Sequence, residues 1–129
     1  MRAAILLLAV TLLAGCAQQP KAPRAPIQVA PSPICATPAQ CSAGWLKAHD
    51  QLQTMTGMRL AVASDTYIAT YPMRRLPNMI GEAYRINNGD GTYTIKARFS
   101  CRNGCDGLDQ SAENLFNTTV GMSIKYGAQ

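Results

Sequence analysis

Apolar and polar residues alternate most cleanly from Tyr93 to Ser100. Tyr93, Ile95, Ala97 and Phe99 fall on one side, and Thr94, Lys96, Arg98 and Ser100 on the other. A period of two with one apolar side predicts a strand lying on a core. The preceding stretch, MIGEAYRI from Met79 to Ile86, predicts a second strand with Ile80, Tyr84 and Ile86 on one side. Between the strands, Asn88-Gly89, Gly89-Asp90 and Asp90-Gly91 are each suited to a two-residue turn, because Asn and Gly tolerate positive φ. Moving among these turns shifts the register by two, so each predicts that Ile80, Tyr84 and Ile86 share the core face with Tyr93, Ile95 and Phe99. The same parity places Glu82 on the core-facing side, where a carboxylate needs an edge position or a partner such as Arg. It places Arg85 outward with Lys96, Arg98 and Arg102.

A period near 3.6 appears on either side of this hairpin. Trp45, Ala48, Leu52 and Met55 form an apolar stripe; Ser42 is positioned to cap that helix and Gly57 to end it. Ala112, Leu115, Phe116, Thr119 and Val120 form a second stripe, with Asp109 as cap and Gly121 as terminator. Arg59 to Tyr71 is rich in β-branched and aromatic residues and predicts one strand, or two short ones broken near Ser64-Asp65, stopped by Pro72. The fold class expected is α+β: a small antiparallel sheet with two helices packed on one face. The sheet has three strands, or four if Met122, Ile124 and Tyr126 form a terminal one.

The front of the chain changes the picture. Met1-Arg2 followed by the apolar run from Ala3 to Leu13 has the form of a secretory signal, too short for a comfortable membrane span. It ends in Leu13-Ala14-Gly15-Cys16, which resembles the lipobox of bacterial lipoproteins. That resemblance implies cleavage before Cys16 and acylation of its thiol and new amine; several acyl chains together make a stable anchor. The residue after the cysteine is Ala17 rather than Asp, which by the same resemblance implies the outer membrane, with the domain facing the periplasm. Pro20, Pro23, Pro26, Pro31, Pro33 and Pro38 then disfavour helix and sheet, so residues 16–40 read as a Pro/Ala-rich tether. The division expected is signal peptide 1–15, tether 16–40 and folded domain 41–129.

Once signal and tether are set aside, roughly 85 to 90 residues remain to fold, a size at which covalent staples are common. Besides Cys16 the chain has Cys35, Cys41, Cys101 and Cys105. An even number in an exported chain predicts two disulfides. The C-x5-C and C-x3-C spacings are unlike the paired C-x2-C of zinc knuckles. Local pairing, Cys35 with Cys41 and Cys101 with Cys105, is favoured because it needs no long-range geometry. Pairing Cys35 or Cys41 to the hairpin end is the alternative. The net charge of +5 is mild and excludes no function class. No nucleic-acid partner, metal or cofactor is expected.

The candidate chemistry is sparse. His49 is the only histidine, beside the apolar stripe of the first helix and next to Asp50. No serine sits in a G-x-S-x-G elbow. Asp106 and Asp109 lack the ligand density of a calcium loop. Cys41-x3-Trp45, Gly91-x-Tyr93-x-Ile95, Cys101-x3-Cys105 and Ala112-x3-Phe116-Asn117 together resemble a loose group of small, functionally uncharacterised lipoproteins of Gram-negative bacteria. The resemblance carries no activity. The reading is therefore a non-enzymatic, lipid-anchored envelope protein that binds or supports another component. Arg85, Lys96, Arg98 and Arg102, with Arg74 and Arg75 at the margin, would form a basic sheet face for an acidic envelope protein or an anionic envelope polymer. The alternatives are an accessory lipoprotein of an envelope-spanning secretion or conjugation apparatus, and a periplasmic enzyme or enzyme inhibitor.

Overall fold

The structure, a computed structural model, describes residues 25–72 and 79–127. The signal peptide, the lipidation site Cys16, the first part of the tether and the pair Arg74 and Arg75 lie outside the described residues. The elements in chain order are β1 (Ile34–Cys35), α1 (Pro38–Thr56), β2 (Leu60–Ala63), β3 (Tyr67–Thr70), β4 (Met79–Asn87), β5 (Tyr93–Cys101) and α2 (Leu108–Tyr126). The strands form one open antiparallel sheet in the order β1-β5-β4-β3-β2. The α+β class and the two helices are as expected; the sheet has five strands rather than three or four.

One extra strand comes from the predicted tether. The Ala30 N–H donates to Asn114 Oδ1 at 2.9 Å, and Asn117 Nδ2 donates to the Ala30 carbonyl at 2.6 Å. Pro33 is buried, and its carbonyl accepts the Ile95 N–H at 2.9 Å. Ile34 and Cys35 then pair with Thr94 and Tyr93. Proline lacks an N–H but keeps its carbonyl, so a proline-rich segment can still dock along a sheet edge. Residues 30–35, ahead of residue 41, therefore pack with the sheet and α2. The other extra strand comes from residues 59–71, which take the two-strand alternative, broken at Ser64-Asp65 by a turn in which Ser64 Oγ accepts the Tyr67 N–H at 3.0 Å.

α1 also begins earlier than the Ser42 cap predicts. Thr37 Oγ1 accepts the Gln40 N–H at 3.2 Å while Gln40 Oε1 accepts the Thr37 N–H at 3.3 Å. This reciprocal capping box, with Pro38 at the first helical position, starts the helix. Gly57 ends it at φ 65°. α2 runs through Gly121 to Tyr126, and the terminal strand does not form. Phe116, Val120 and Ile124 recur every four residues and are all buried, so packing carries the helix past the glycine. Asp109 sits inside the first turn of α2, and Gly107, at φ 86°, occupies the cap. Leu115, placed on the apolar stripe by its spacing, is exposed.

The hairpin differs most consequentially. Its last strand pair is Asn87 opposite Tyr93, which leaves residues 88–92 in the loop. Side chains hold this wider turn. Asp90 Oδ1 accepts the Thr92 N–H at 2.9 Å and its hydroxyl at 2.6 Å, and Asn87 Oδ1 accepts the Gly89 N–H at 2.8 Å. Those bonds from Thr92 hold the Asp90 carboxyl below its usual pKa. Gly89 and Gly91 supply positive φ at 83° and 88°. A loop with an odd number of residues reverses the parity that every two-residue turn shares. Arg85 therefore pairs with Ile95, Ala83 with Ala97 and Gly81 with Phe99 on the covered face. Ile80, Glu82, Tyr84 and Ile86 lie on the open face with Ser100, Arg98, Lys96 and Thr94. The core-face placement of Ile80, Tyr84, Ile86 and Glu82 and the outward placement of Arg85 are thus corrected. The alternation within β5 stands: Ile95, Ala97 and Phe99 are buried.

Both helices pack on the covered face. Phe116, Leu52, Ile68, Ile95 and Val120 are its largest fully buried aromatic and aliphatic side chains, and Phe99 meets Phe116 edge-on at 6.1 Å. Two disulfides brace this small core. Cys35–Cys41 ties β1 to the first turn of α1, and Cys101–Cys105 closes the turn between β5 and α2. All four cysteines are thus engaged, which removes the tetrathiolate zinc alternative.

Helix contact supplies a stability test. A Cβ on Gly44 would lie 2.6 Å from Ile124 Cγ1, whereas one on Gly121 would meet nothing closer than Pro33 Cβ at 3.8 Å. Gly44→Ala is expected to destabilise by ~1–3 kcal/mol in urea unfolding. Gly121→Ala is expected to be neutral or to stabilise by up to about 1 kcal/mol. Equal effects would contradict this helix packing. Opening either short disulfide loop is expected to cost about 2 kcal/mol, and non-reducing digestion should recover both local pairs.

Candidate binding surface

The side of the sheet away from the helices is uncovered by any described residue. It presents Ile34 from β1, Thr94, Lys96 and Arg98 from β5, Ile80, Glu82, Tyr84 and Ile86 from β4, Tyr67 from β3 and Val62 from β2. Ile34, Val62, Tyr84 and Ile86 are 58%, 45%, 37% and 44% exposed, high values for apolar side chains on one face of a small domain.

Its centre is polar and organised on Glu82. Tyr67 and Tyr84 are cross-strand partners with ring centroids 4.9 Å apart. Tyr67 donates its hydroxyl to Glu82 Oε2 at 3.1 Å, and Tyr84 lies on the same face, two residues along β4 from that carboxylate. Arg98 approaches Glu82 Oε1 at 3.9 Å, a loose and solvated pair of the kind that contributes ~0–1 kcal/mol. Burial first, and the Glu82 bond and charge second, hold the Tyr67 phenol above its usual pKa. The Tyr84 phenol is also held above its usual pKa, with the neighbouring Glu82 carboxylate as the first cause and burial the second. A raised phenol pKa favours the neutral form, so its stabilising contribution is present below about pH 10 and is lost as pH rises through the folded-state value. Beside Glu82 lies a shallow groove of about 230 Å³ whose walls include Tyr67, Ile80, Arg98 and Ser100.

This surface is less basic than the sequence implies. Lys96 and Arg98 lie on it, but Arg98 leans on Glu82. Arg102 is exposed in the turn after β5, outside the strand pairing. Arg85 is on the other face, its guanidinium 4.5 Å from the centroid of Tyr93. The tyrosine pair and the exposed isoleucines are what sequence reasoning missed. Glu82 carried the signal: a carboxylate assigned to a core face is evidence against that parity. Among the described residues no three His, Cys, Asp or Glu side chains gather as metal ligands, and no helix is long and apolar enough to cross a membrane.

Glu82→Gln is expected to lower the pKa of both Tyr67 and Tyr84 toward the ordinary value, because it removes the carboxylate that disfavours each phenolate. Titration of the tyrosine ring signals by NMR checks this, and unchanged curves would detach Glu82 from the pair.

Comparison of the chain with protein-family models, with curated proteins and with solved structures gives no match.

Proposed function

We propose that this chain is a lipid-anchored envelope protein whose folded domain binds an acidic partner protein through its open sheet face, without catalysing a reaction. The single observation that carries the reading is that face, which displays Ile34, Val62, Tyr84 and Ile86 in the open around Lys96 and Arg98. Scattered apolar residues need no explanation, but a set aligned on one uncovered face is the kind of surface that partners cover. Exposed aliphatic groups offer little to a polymer of sugars and phosphates, so they favour a protein partner. Lys96 and Arg98 against the one carboxylate of Glu82 leave the face mildly positive, which favours an acidic partner.

The anchor belongs to the same reading. The Leu13-Ala14-Gly15-Cys16 run supports cleavage before Cys16 and acylation of that residue, and Ala17 after it supports the outer membrane. The proline-rich residues that follow would carry the domain away from the bilayer into the periplasm. The resemblance to small lipoproteins of Gram-negative bacteria supports the same setting.

Two experiments test this reading. A photo-crosslinker at Tyr84 or Lys96 in whole cells is expected to trap one discrete partner that the exposed helix position Gln110 does not trap; the same products from all three would defeat the surface assignment. Tyr84→Ser with Lys96→Gln is expected to abolish that product while changing stability by less than about 1.5 kcal/mol. For the anchor, Cys16→Ser is expected to leave the precursor unprocessed or to release the protein. Wild-type protein recovered with an unmodified Cys16 thiol would refute lipidation.

A further inference from the structure

The chain contains two Asn-Gly steps, Asn88-Gly89 in the loop between β4 and β5 and Asn103-Gly104 in the turn between β5 and α2. Such a step carries its own chemistry. The main-chain nitrogen of the glycine can attack Cγ of the asparagine, because no Cβ on the glycine crowds the approach. The structure holds the two steps very differently.

Asn88 is held on both sides of its amide. Its Nδ2 donates to Thr92 Oγ1 at 2.8 Å, and its Oδ1 accepts the Thr94 hydroxyl at 3.0 Å. The nitrogen that would attack it is engaged as well: the Gly89 N–H donates to Asn87 Oδ1 at 2.8 Å. Bringing Cγ of Asn88 onto that nitrogen breaks all three bonds. Asn103 has no such hold. It is exposed, and its side chain takes part in no hydrogen bond among the described residues. The Gly104 N–H reaches only the Cys101 carbonyl, at 3.4 Å, longer than an ordinary N–H···O bond. Gly104 lies at φ 85°, inside the loop that Cys101–Cys105 closes. The turn therefore needs a glycine at the one place that makes Asn103 reactive.

We infer that Asn103 is a site of spontaneous deamidation, with water as the only co-reactant. The Gly104 nitrogen loses its proton to hydroxide and bonds to Asn103 Cγ. The Cγ–Nδ2 bond breaks, the departing nitrogen takes up a proton, and ammonia leaves. Water then opens the cyclic imide. Addition at Cγ gives aspartate; addition at the main-chain carbonyl gives isoaspartate, whose main chain runs through the side-chain carbons. Nothing is oxidised or reduced. Either product carries a carboxylate beside Arg102 and lowers the net charge of +5 by one. Isoaspartate also lengthens the disulfide-closed loop at the junction of β5 and α2. The inference is independent of the open sheet face, since Asn103 lies beyond the β4–β5 pairing.

The test incubates the full chain, folded in mild detergent at mildly alkaline pH, in heavy-oxygen water. Mass spectrometry follows both asparagines, which trypsin cleavage after Lys96 places on different peptides. Asn103 is expected to become an acid carrying solvent oxygen about a hundredfold faster than Asn88, which must first break three net-favourable hydrogen bonds. In the reduced and denatured chain the two rates are expected to converge. Thr94→Val keeps a β-branched residue in β5 and removes one bond to Asn88. It is expected to speed conversion of Asn88 about fivefold and to leave Asn103 unchanged. The inference is overturned if folded Asn103 keeps its amide while the denatured chain loses it, or if Asn88 converts as fast as Asn103 in the folded protein. It is equally overturned if the folded ratio persists in the denatured chain, or if Thr94→Val leaves Asn88 unchanged.

Discussion

The register of the β4–β5 hairpin decides what every other part of this domain can do. Asn87 faces Tyr93 across residues 88–92, and that odd interval determines which side chains of β4 meet the helices. Gly81 and Ala83 go under α1, while Tyr84 and Ile86 go into the open. In its middle, strand β4 therefore carries two small residues inward, with the larger Met79 and Arg85 toward the ends of that face. The inward glycine has a steric reason, since a Cβ at Gly81 would lie 3.0 Å from the Phe99 ring and 3.3 Å from Leu52. Helix α1 comes close over the middle of β4 because Gly81 and Ala83 offer it so little side chain there.

A domain built this way has a thin core, and its edges are braced accordingly. The disulfides close the junctions where strand meets helix, at the start of α1 and the start of α2. The strand β1 is only two residues long, yet it joins the sheet because Cys35 is bonded to α1 and Ala30 is clasped by Asn114 and Asn117 of α2. A covalent link and a few side-chain bonds thus recruit a segment whose composition alone reads as spacer. With one sheet face spent on the core, the other stays open among the described residues.

Where side chains act locally, the chain was legible. The β5 alternation, the two helical stripes, the glycine stop at Gly57 and the local cysteine pairs all follow from spacings of a few residues. The errors came where an outcome depends on a longer-range competition. Gly121 reads as a stop, but Ile124 buries against Gly44 and the helix continues. Ser42 reads as a cap, but Thr37 with Gln40 starts the helix one turn earlier. The turn was the costliest error, because all three two-residue choices share one parity and Asp90 with Thr92 stabilises a wider loop. Glu82 as the centre of an open-face tyrosine cluster, and Arg85 as part of a cleft beside His49, both became visible only once that parity was reversed.

Register thus separates two surfaces, an aromatic and aliphatic sheet face around Glu82 and a cleft that Arg85 lines with Trp45, Leu46 and His49. The most direct test is a nuclear Overhauser map of α-protons across the hairpin in the folded protein. In an antiparallel pair, residues opposite each other without mutual hydrogen bonds bring their α-carbons closest. The account predicts α-proton contacts between Arg85 and Ile95 and between Ala83 and Ala97. Contacts of Tyr84 with Ile95 or Ala97 would mean a two-residue turn, would return Tyr84 and Glu82 to the core face, and would contradict both surfaces at once.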